Sequence, residues 1–447
     1  VPPPGYRPAL ARPAPARGAL IRAMQPLHLL GLHEARERLM AGACDSVDLV
    51  QACLDRIAAR EEQIRAWAWV DAADALRKAR AMAGARPDPR RPLAGLPIAV
   101  KDIIDTADMP TAYGSPIYAG HRPAWSAYCV AAIEAAGGII LGKTATSEFA
   151  HSAPPATRNP HAPQHTPGGS SGGSAACVAD FMAPAALATQ TGGSTIRPAA
   201  FCGVVGYKPS LGLIDRTGVK PMAESLDTVG LMARAVADIQ LLAGVLAGVP
   251  AAPPGSAAPR IGLYRTPHWE RIDARSRDAL LARLRRLERH GARVAEVPDL
   301  PALHPLYQDQ RDIMNQQASR ALLHEYRQHR EQLSPALRAA LEAGQACSPD
   351  ALRAAWQRTR RARRAYAELW ADYDLIVTPA ALGAAPAGIA SSGDSLLNRN
   401  WSLLGVPTLS LPNGADPRGL PLAMQLAGSH GGDAALLGWA RWIEAAA

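Results

Sequence analysis

A chain of 447 residues, 48% apolar and 19% charged, is long enough for one large α/β enzyme or two to three average domains. Its 48 Lys and Arg against 39 Asp and Glu give a formal charge of +9, but the bases interleave with acids and only 5% of residues are aromatic, which argues against nucleic-acid binding. No apolar run approaches the roughly 20 residues that span a bilayer, and six scattered cysteines without a CxxC pair fit a reducing cytoplasm, not a disulfide scaffold.

Residues 1–26, rich in Pro, Ala and Arg, read as a loose N-terminal arm without the apolar core of a signal peptide. Residues 27–90 form a helical N-terminal segment. Val47, Val50, Cys53, Leu54 and Ile57 recur at three- and four-residue steps, so "SVDLVQACLDRIAAREEQIRAWAWV" is predicted as helix with Ser46 as its N-cap, and "GARPDPRRP" as the loop that follows. From 91 to 447 the chain reads as one catalytic body. Leu96–Val100 is a buried strand with Lys101 at its end. "SAYCVAAIEAAGG" is a helix closed by Gly137 and Gly138, and "GIILGKT" is the next strand. Ser174–Met182 is helix-compatible and "APAALATQ" a strand. Beyond the Pro/Gly/Ala connector at 246–259 come "RIGLYRT" (strand), "SRDALLARLRRLERHG" (helix) and "ARVAEV" (strand). A charged helical stretch fills about 309–372. The strands "DLIVTPA", "PTLSLP" and "PLAMQLAG" and a C-terminal helix from about Asp433 complete the chain. This alternation predicts a single α/β domain, a large twisted mixed sheet covered by helices.

Several short motifs compete for the chemistry. "HEYRQH" places His324 and His329 five apart, where a zinc-binding helix face needs four, so no metal site is expected. "GGIILGKT", Gly137 to Thr144, matches the phosphate-loop pattern, but Ile139, Ile140 and Leu141 favour a strand over a phosphate-wrapping loop. "GSSGG" matches the nucleophile elbow around Ser171, yet the preceding "TRNPHAPQHTP" cannot be a core strand.

The stretch "PGGSSGGSA" is answered by a second Gly-Gly-Ser in "TQTGGSTIRP". A helix of about ten residues runs ~15 Å and a strand of six returns ~20 Å, so the two turns can meet and make Ser170 and Ser194 neighbours. The base they lack is sought among lysines. The chain has five, Lys78, Lys101, Lys143, Lys208 and Lys220, and otherwise uses Arg. Arg keeps its proton, whereas a buried Lys can lose it. Lys101 at a strand end is the best candidate to take a proton from a serine.

These residues, with "LPIAVKDIIDTADMPTAYGS", "GKTATSEFA", "TRNPHAPQHTPGGSSGGSAA", "TQTGGSTIRPAAFCGVVGYKPS", "SLDTVGLMAR", "DLIVTPA" and "NRNWSLLGVPTLSLP", closely resemble the amidase signature family from about residue 27 to the C-terminus. The resemblance implies a Ser–cis-Ser–Lys triad: Ser194 as nucleophile, Ser170 as the relay serine on a cis peptide bond, and Lys101 as general base. The backbone N–H groups of Thr191, Gly192, Gly193 and Ser194 would form the oxyanion hole. Gly169, Ser171, Arg197 and Trp401 are expected as supporting or substrate-binding residues. Arg197 would either hold the loop through an ion pair or anchor a substrate carboxylate. The pocket is expected around Thr144–Ser147, the 309–372 helices and the stretch leading to Trp401.

The implied activity is hydrolysis of a small-molecule amide, with carbamates (urethanes) and esters open to the same acyl chemistry. No cofactor, nucleic acid or membrane is implied, and a monomer or homodimer is expected. Many family members have Asp where this chain has Gln190, and "GGSIRQP" where it has "GGSTIRP". The Gln form looks more like the stand-alone amidases than the glutaminase component of a tRNA-dependent amidotransferase, the alternative within the family. A phosphate-loop nucleotide binder is the remote alternative.

Overall fold

The computed structural model describes residues 25–84, 88–151, 153–251 and 258–446. The loose arm expected at 1–26 lies almost wholly outside these residues, as does the middle of the 246–259 connector.

Eleven strands form one mixed sheet. They are β1 (Trp67–Val70), β2 (Pro97–Lys101), β3 (Ile139–Thr144), β4 (Ala185–Gln190), β5 (Val205–Lys208), β6 (Thr228–Ala233), β7 (Arg260–Leu263), β8 (Arg293–Glu296), β9 (Leu375–Pro379), β10 (Thr408–Ala415) and β11 (Pro421–Ala427), in the order β1-β3-β2-β4-β6-β5-β10-β11-β9-β7-β8. β2 runs parallel to both β3 and β4, and β7 parallel to both β8 and β9. The strands between these two patches pair antiparallel.

Alternation along the strands divides the core into layers. Ile98, Val100 and Leu187 face one hydrophobic layer, while Ala99, Ala186 and Ala188 face another with Ala175, Ala176 and Cys177 of the helix Gly172–Ala179. Small residues on both partners let this helix lie close against the sheet. Behind it, the buried Asp180 is clamped by Arg56 and Arg60 at 2.8 and 2.9 Å.

The N-terminal segment departs from the all-helical expectation. The helix Ser46–Ile64 stops because Arg65 turns left-handed, with φ 55°, and the Glu61 carboxylate accepts from the N–H groups of Ala66 and Trp67. "WAWV" then becomes β1 and joins the catalytic sheet beside β3. Aromatic and β-branched residues favour that outcome once a sheet edge is available. Asp45, not Ser46, caps the helix, in a reciprocal capping box with Asp48. The Ser46 hydroxyl donates instead to the carbonyl of Ala79.

Lys101 ends β2 and Gln190 ends β4, the parallel neighbour. Their carboxyl ends therefore open onto one rim, the position where α/β sheets hold ligands. β4 is also where parallel pairing gives way to antiparallel.

Candidate active site

Lys101 is fully buried, with Nζ 2.8 Å from Ser170 Oγ and 2.8 Å from Thr189 Oγ1. Burial drives its pKa well below the usual lysine range, opposed in part by the charge of Asp227. A neutral amine has two N–H bonds and one lone pair. Donation to Thr189 leaves the lone pair free to face the Ser170 hydroxyl. Thr189 does not stand out in the sequence. Its signal is its place one residue before the end of β4, beside the end of β2.

The peptide bond Gly169–Ser170 is cis. Gly169 sits tightly there: a Cβ would lie 2.9 Å from Ser392 Cβ and 3.2 Å from Ser147 Oγ. The Ser170 carbonyl accepts from Ser147 N–H at 3.3 Å. Ser171 is fixed differently. Its Oγ donates to the Thr189 carbonyl at 3.1 Å and accepts from Thr189 N–H at 3.3 Å. That hydroxyl is spent on the backbone of the strand end, which disfavours the nucleophile-elbow reading.

The two Gly-Gly-Ser turns meet through Ser171 N–H, which donates to the Ser194 carbonyl at 3.3 Å. Ser194 is partly exposed, whereas Thr191, Gly192 and Gly193 are buried. Among the described residues no hydrogen bond joins the Ser170 and Ser194 hydroxyls directly.

The second turn is held by its carbonyls. Gln310 Nε2 donates to Thr191 O at 3.1 Å, Ser402 Oγ to Gly192 O at 2.8 Å, and Arg197 N to Gly193 O at 3.0 Å. In a planar trans peptide the N–H points opposite to the carbonyl. The N–H groups of Gly192, Gly193 and Ser194 therefore face away from these anchors. Gln190 closes the arrangement. Its Oε1 accepts from Thr195 N at 2.9 Å and Ile196 N at 3.0 Å, and its Nε2 donates to Ser402 Oγ at 3.0 Å. The amide does two jobs, acceptor and donor, that a carboxylate could not combine. Thr191 Oγ1 donates to the buried Asp227 at 2.6 Å.

Arg197 makes no ion pair among the described residues. Its Nη2 donates to Gly169 O at 2.5 Å and to Ser392 Oγ at 3.2 Å, so it holds the first turn through a carbonyl. Burial, followed by repulsion from Arg399, lowers its pKa to about 10. Trp401 is not at a pocket wall. It is 1% exposed and packs edge-on against Tyr264 and Tyr366 in the core. On the same helix, Leu396–Leu404, Ser402 serves the site through Gly192, and Asn398 Oδ1 would lie 2.5 Å from a Cβ on Gly193. The helical period that buries Trp401 turns these residues toward the turn.

The other lysines of the 101–220 window end on fixed partners. Lys143 lies within β3, not in a loop. It donates to Ile104 O at 2.7 Å and faces Asp102 at 3.4 Å, with a pKa lowered by burial to about 8. Lys208 donates to Val406 O at 2.6 Å and Lys220 to Glu325 at 2.5 Å. Lys143→Met is expected to strand Asp102 in the interior and to cost roughly 3 kcal/mol of stability by denaturant titration. Under the phosphate-loop alternative, ATP would raise the melting temperature of the wild type.

A cavity of about 440 Å³ opens beside Gly192, bounded by Gln310, Met314, Ser395 and Arg399. Residues of the charged helical stretch and of the segment before Trp401 line it, and Thr144–Ser147 do not. Thr146 and Ala145 line a separate cavity of about 700 Å³. A further cavity of about 860 Å³ is formed by the N-terminal helices and the segment around Arg91, and shares no residue with the serine turns. Among the described residues no cluster of three or more His, Cys, Asp or Glu could hold a metal, and no helix is long and apolar enough to cross a membrane.

A single mixed α/β sheet with a buried lysine against paired Gly-Gly-Ser turns defines the class of amidase-signature hydrolases. The chain belongs to the amidase family, whose family model matches residues 48–437. Among solved structures it is similar to an amidase, with TM-score 0.86 and 31% identity over 93% of this chain and 99% of that one. It is also similar to the peptide amidase of Stenotrophomonas maltophilia, with TM-score 0.82 and 31% identity over 94% and 97%. Among curated proteins, the glutamyl-tRNA(Gln) amidotransferase A-subunit of Roseiflexus castenholzii is 45% identical over 237 residues, 50% of this chain and 47% of that protein. Its counterpart in Solidesulfovibrio magneticus is 39% identical over 299 residues, 61% of each. The chain thus spans about half the length of the first of these relatives.

Proposed function

We propose that this protein hydrolyses the C–N bond of small-molecule amides through an acyl-enzyme on Ser194, with Ser170 as proton relay and Lys101 as base. The observation that carries the reading is the buried Lys101 Nζ at 2.8 Å from Ser170 Oγ. Neutral Lys101 draws the proton of Ser170, and Ser170 that of Ser194, once substrate closes the gap between the two hydroxyls. Ser194 Oγ attacks the carbonyl carbon. The oxyanion is met by the N–H groups of Thr191, Gly192, Gly193 and Ser194, the last three in peptides whose carbonyls, on Thr191, Gly192 and Gly193, are already anchored. The relay then returns its proton to the leaving amine, and water repeats the sequence on the acyl-enzyme. Carbamates and esters fit the same steps. The test is a fluorophosphonate followed by peptide mass spectrometry. Label on Ser194, lost in Lys101→Met, supports the reading, and label on Ser171 refutes it.

Gly193→Ala is expected to lower kcat/KM by roughly 100-fold, because a Cβ there meets Asn398 Oδ1 and Ser395 Cβ and shifts the N–H groups. Circular dichroism of the variant should match the wild type.

The amidotransferase relatives favour a second reading, a glutaminase that feeds an amidotransferase. Release of glutamate from glutamine by the protein, with anilides untouched, would establish it. Turnover of anilides or primary amides by the protein alone supports the stand-alone amidase.

A further inference from the structure

We propose that the substrate carries a free carboxylate, received by Arg311 and Arg399 in the cavity beside Gly192. This rests on the hydrolase reading above and adds the substrate class to it.

The cavity, about 440 Å³, is the size of a small organic ligand site and begins at the turn that would hold the oxyanion. A Cβ on Gly192 would lie 3.4 Å from Gln310 Nε2 and 3.8 Å from Ser395 Oγ, so the turn and the cavity wall are in contact distance.

Its charge is unbalanced. Arg311, Arg399 and Asp394 are the charged residues on its wall. Asp394 is already committed: it accepts from Arg399 Nη2 at 2.9 Å and from Leu396 N–H at 2.9 Å, and faces Arg271 at 3.6 Å. Arg399 Nε donates to Ser395 Oγ at 3.1 Å. Arg311 is exposed and makes no ion pair or hydrogen bond among the described residues. Arg271 and Arg399 thus share the Asp394 carboxylate, and Arg311 has none. Burial weakens the hold of Arg399 on its proton; Asp394 opposes this, and repulsion from Arg311 and Arg271 adds to it. Gathering like charges at the mouth of a partly enclosed cavity is unfavourable unless an anion completes the set. The guanidinium fork matches a carboxylate in two parallel hydrogen bonds. Among compounds with a hydrolysable amide, half-amides of short dicarboxylic acids bring such a group within a few bonds of the carbonyl. Arg197 does not line this cavity, and its Nη2 is held by Gly169 O and Ser392 Oγ.

The test is calorimetric binding to the full chain carrying Ser194→Ala, with succinamate against the uncharged butyramide. Succinamate is expected to bind at least about tenfold more tightly, the scale of a charge-assisted hydrogen bond. Adding Arg311→Gln should remove about that factor, Arg311→Lys should restore part of it, and butyramide should be unaffected by either. Arg311 is exposed, so these substitutions leave the fold intact. Equal binding of the two amides, indifference to Arg311→Gln, or displacement of succinamate by an equal concentration of inorganic phosphate would each overturn the proposal. The hydrolase reading fails on a different readout, retention of anilide turnover by Ser194→Ala.

Discussion

Ser194→Ala is expected to lower kcat/KM by roughly 10⁴-fold or more on any amide the wild type turns over, with an unchanged melting temperature. The size follows from the role. A nucleophile that forms the covalent intermediate has no partial substitute, and what remains is the contribution of the oxyanion hole and of binding. The unchanged stability follows from the site. Ser194 is partly exposed, and it is its backbone carbonyl, not its hydroxyl, that holds the two turns together through Ser171 N–H. Loss of one exposed hydroxyl falls within about 0.5 kcal/mol. Steady-state kinetics and a thermal melt on the same preparation decide the matter. Full activity in Ser194→Ala would sink the assignment.

Lys101→Met is expected to cost roughly 10³-fold, within the 10²–10⁴ range of a lost general base. Methionine matches the lysine stem in length and removes a group whose protonation is penalised by burial. The Ser170 and Thr189 hydroxyls, each donor and acceptor, can reorient toward one another's surroundings, so folding should survive. The wild-type pH profile carries the sign. The amine must be neutral to accept a proton, so activity rises as pH increases through its pKa. Burial places that pKa well below the usual lysine value of 10.5, and the ascending limb should lie correspondingly low. An ascending limb still centred near pH 10.5 would show a lysine too solvated for the role.

The fold was legible where periodicity and punctuation agreed. β2, β3 and β4 and the helix between the serine turns follow from apolar runs bounded by glycine. β1 was missed because its residues continue the helical register of Ser46–Ile64, and the break is made by the Glu61 carboxylate, a contact no window of sequence displays. β5 is only four residues long, and in β6 Gly230 interrupts the apolar run. At the site, the serines and Lys101 were legible as residues out of keeping with their surroundings: hydroxyls between glycines, a lysine in an arginine-using chain. Gln310 and Ser402 were not, because they act through carbonyls more than 110 residues away along the chain. Trp401 misled because a large aromatic in a polar stretch reads as a pocket wall, while the helix turns it inward and presents Ser402 to the turn.

The pairing of β5 with β10 has a consequence for how the protein is made. Lys208 finds its partner Thr408 about 200 residues later. At ~5–20 residues per second, a ribosome needs roughly 10–40 s to supply that partner. Until then the nascent chain carries Lys101, both serine turns and a β5 edge whose N–H and C=O groups are open to any passing strand. The second half does not merely add a lid to a finished enzyme. It covers the open edge of β5 and brings Gln310 and Ser402, the donors for the Thr191 and Gly192 carbonyls, so the sheet edge is paired and the second turn anchored only after most of the chain has been made.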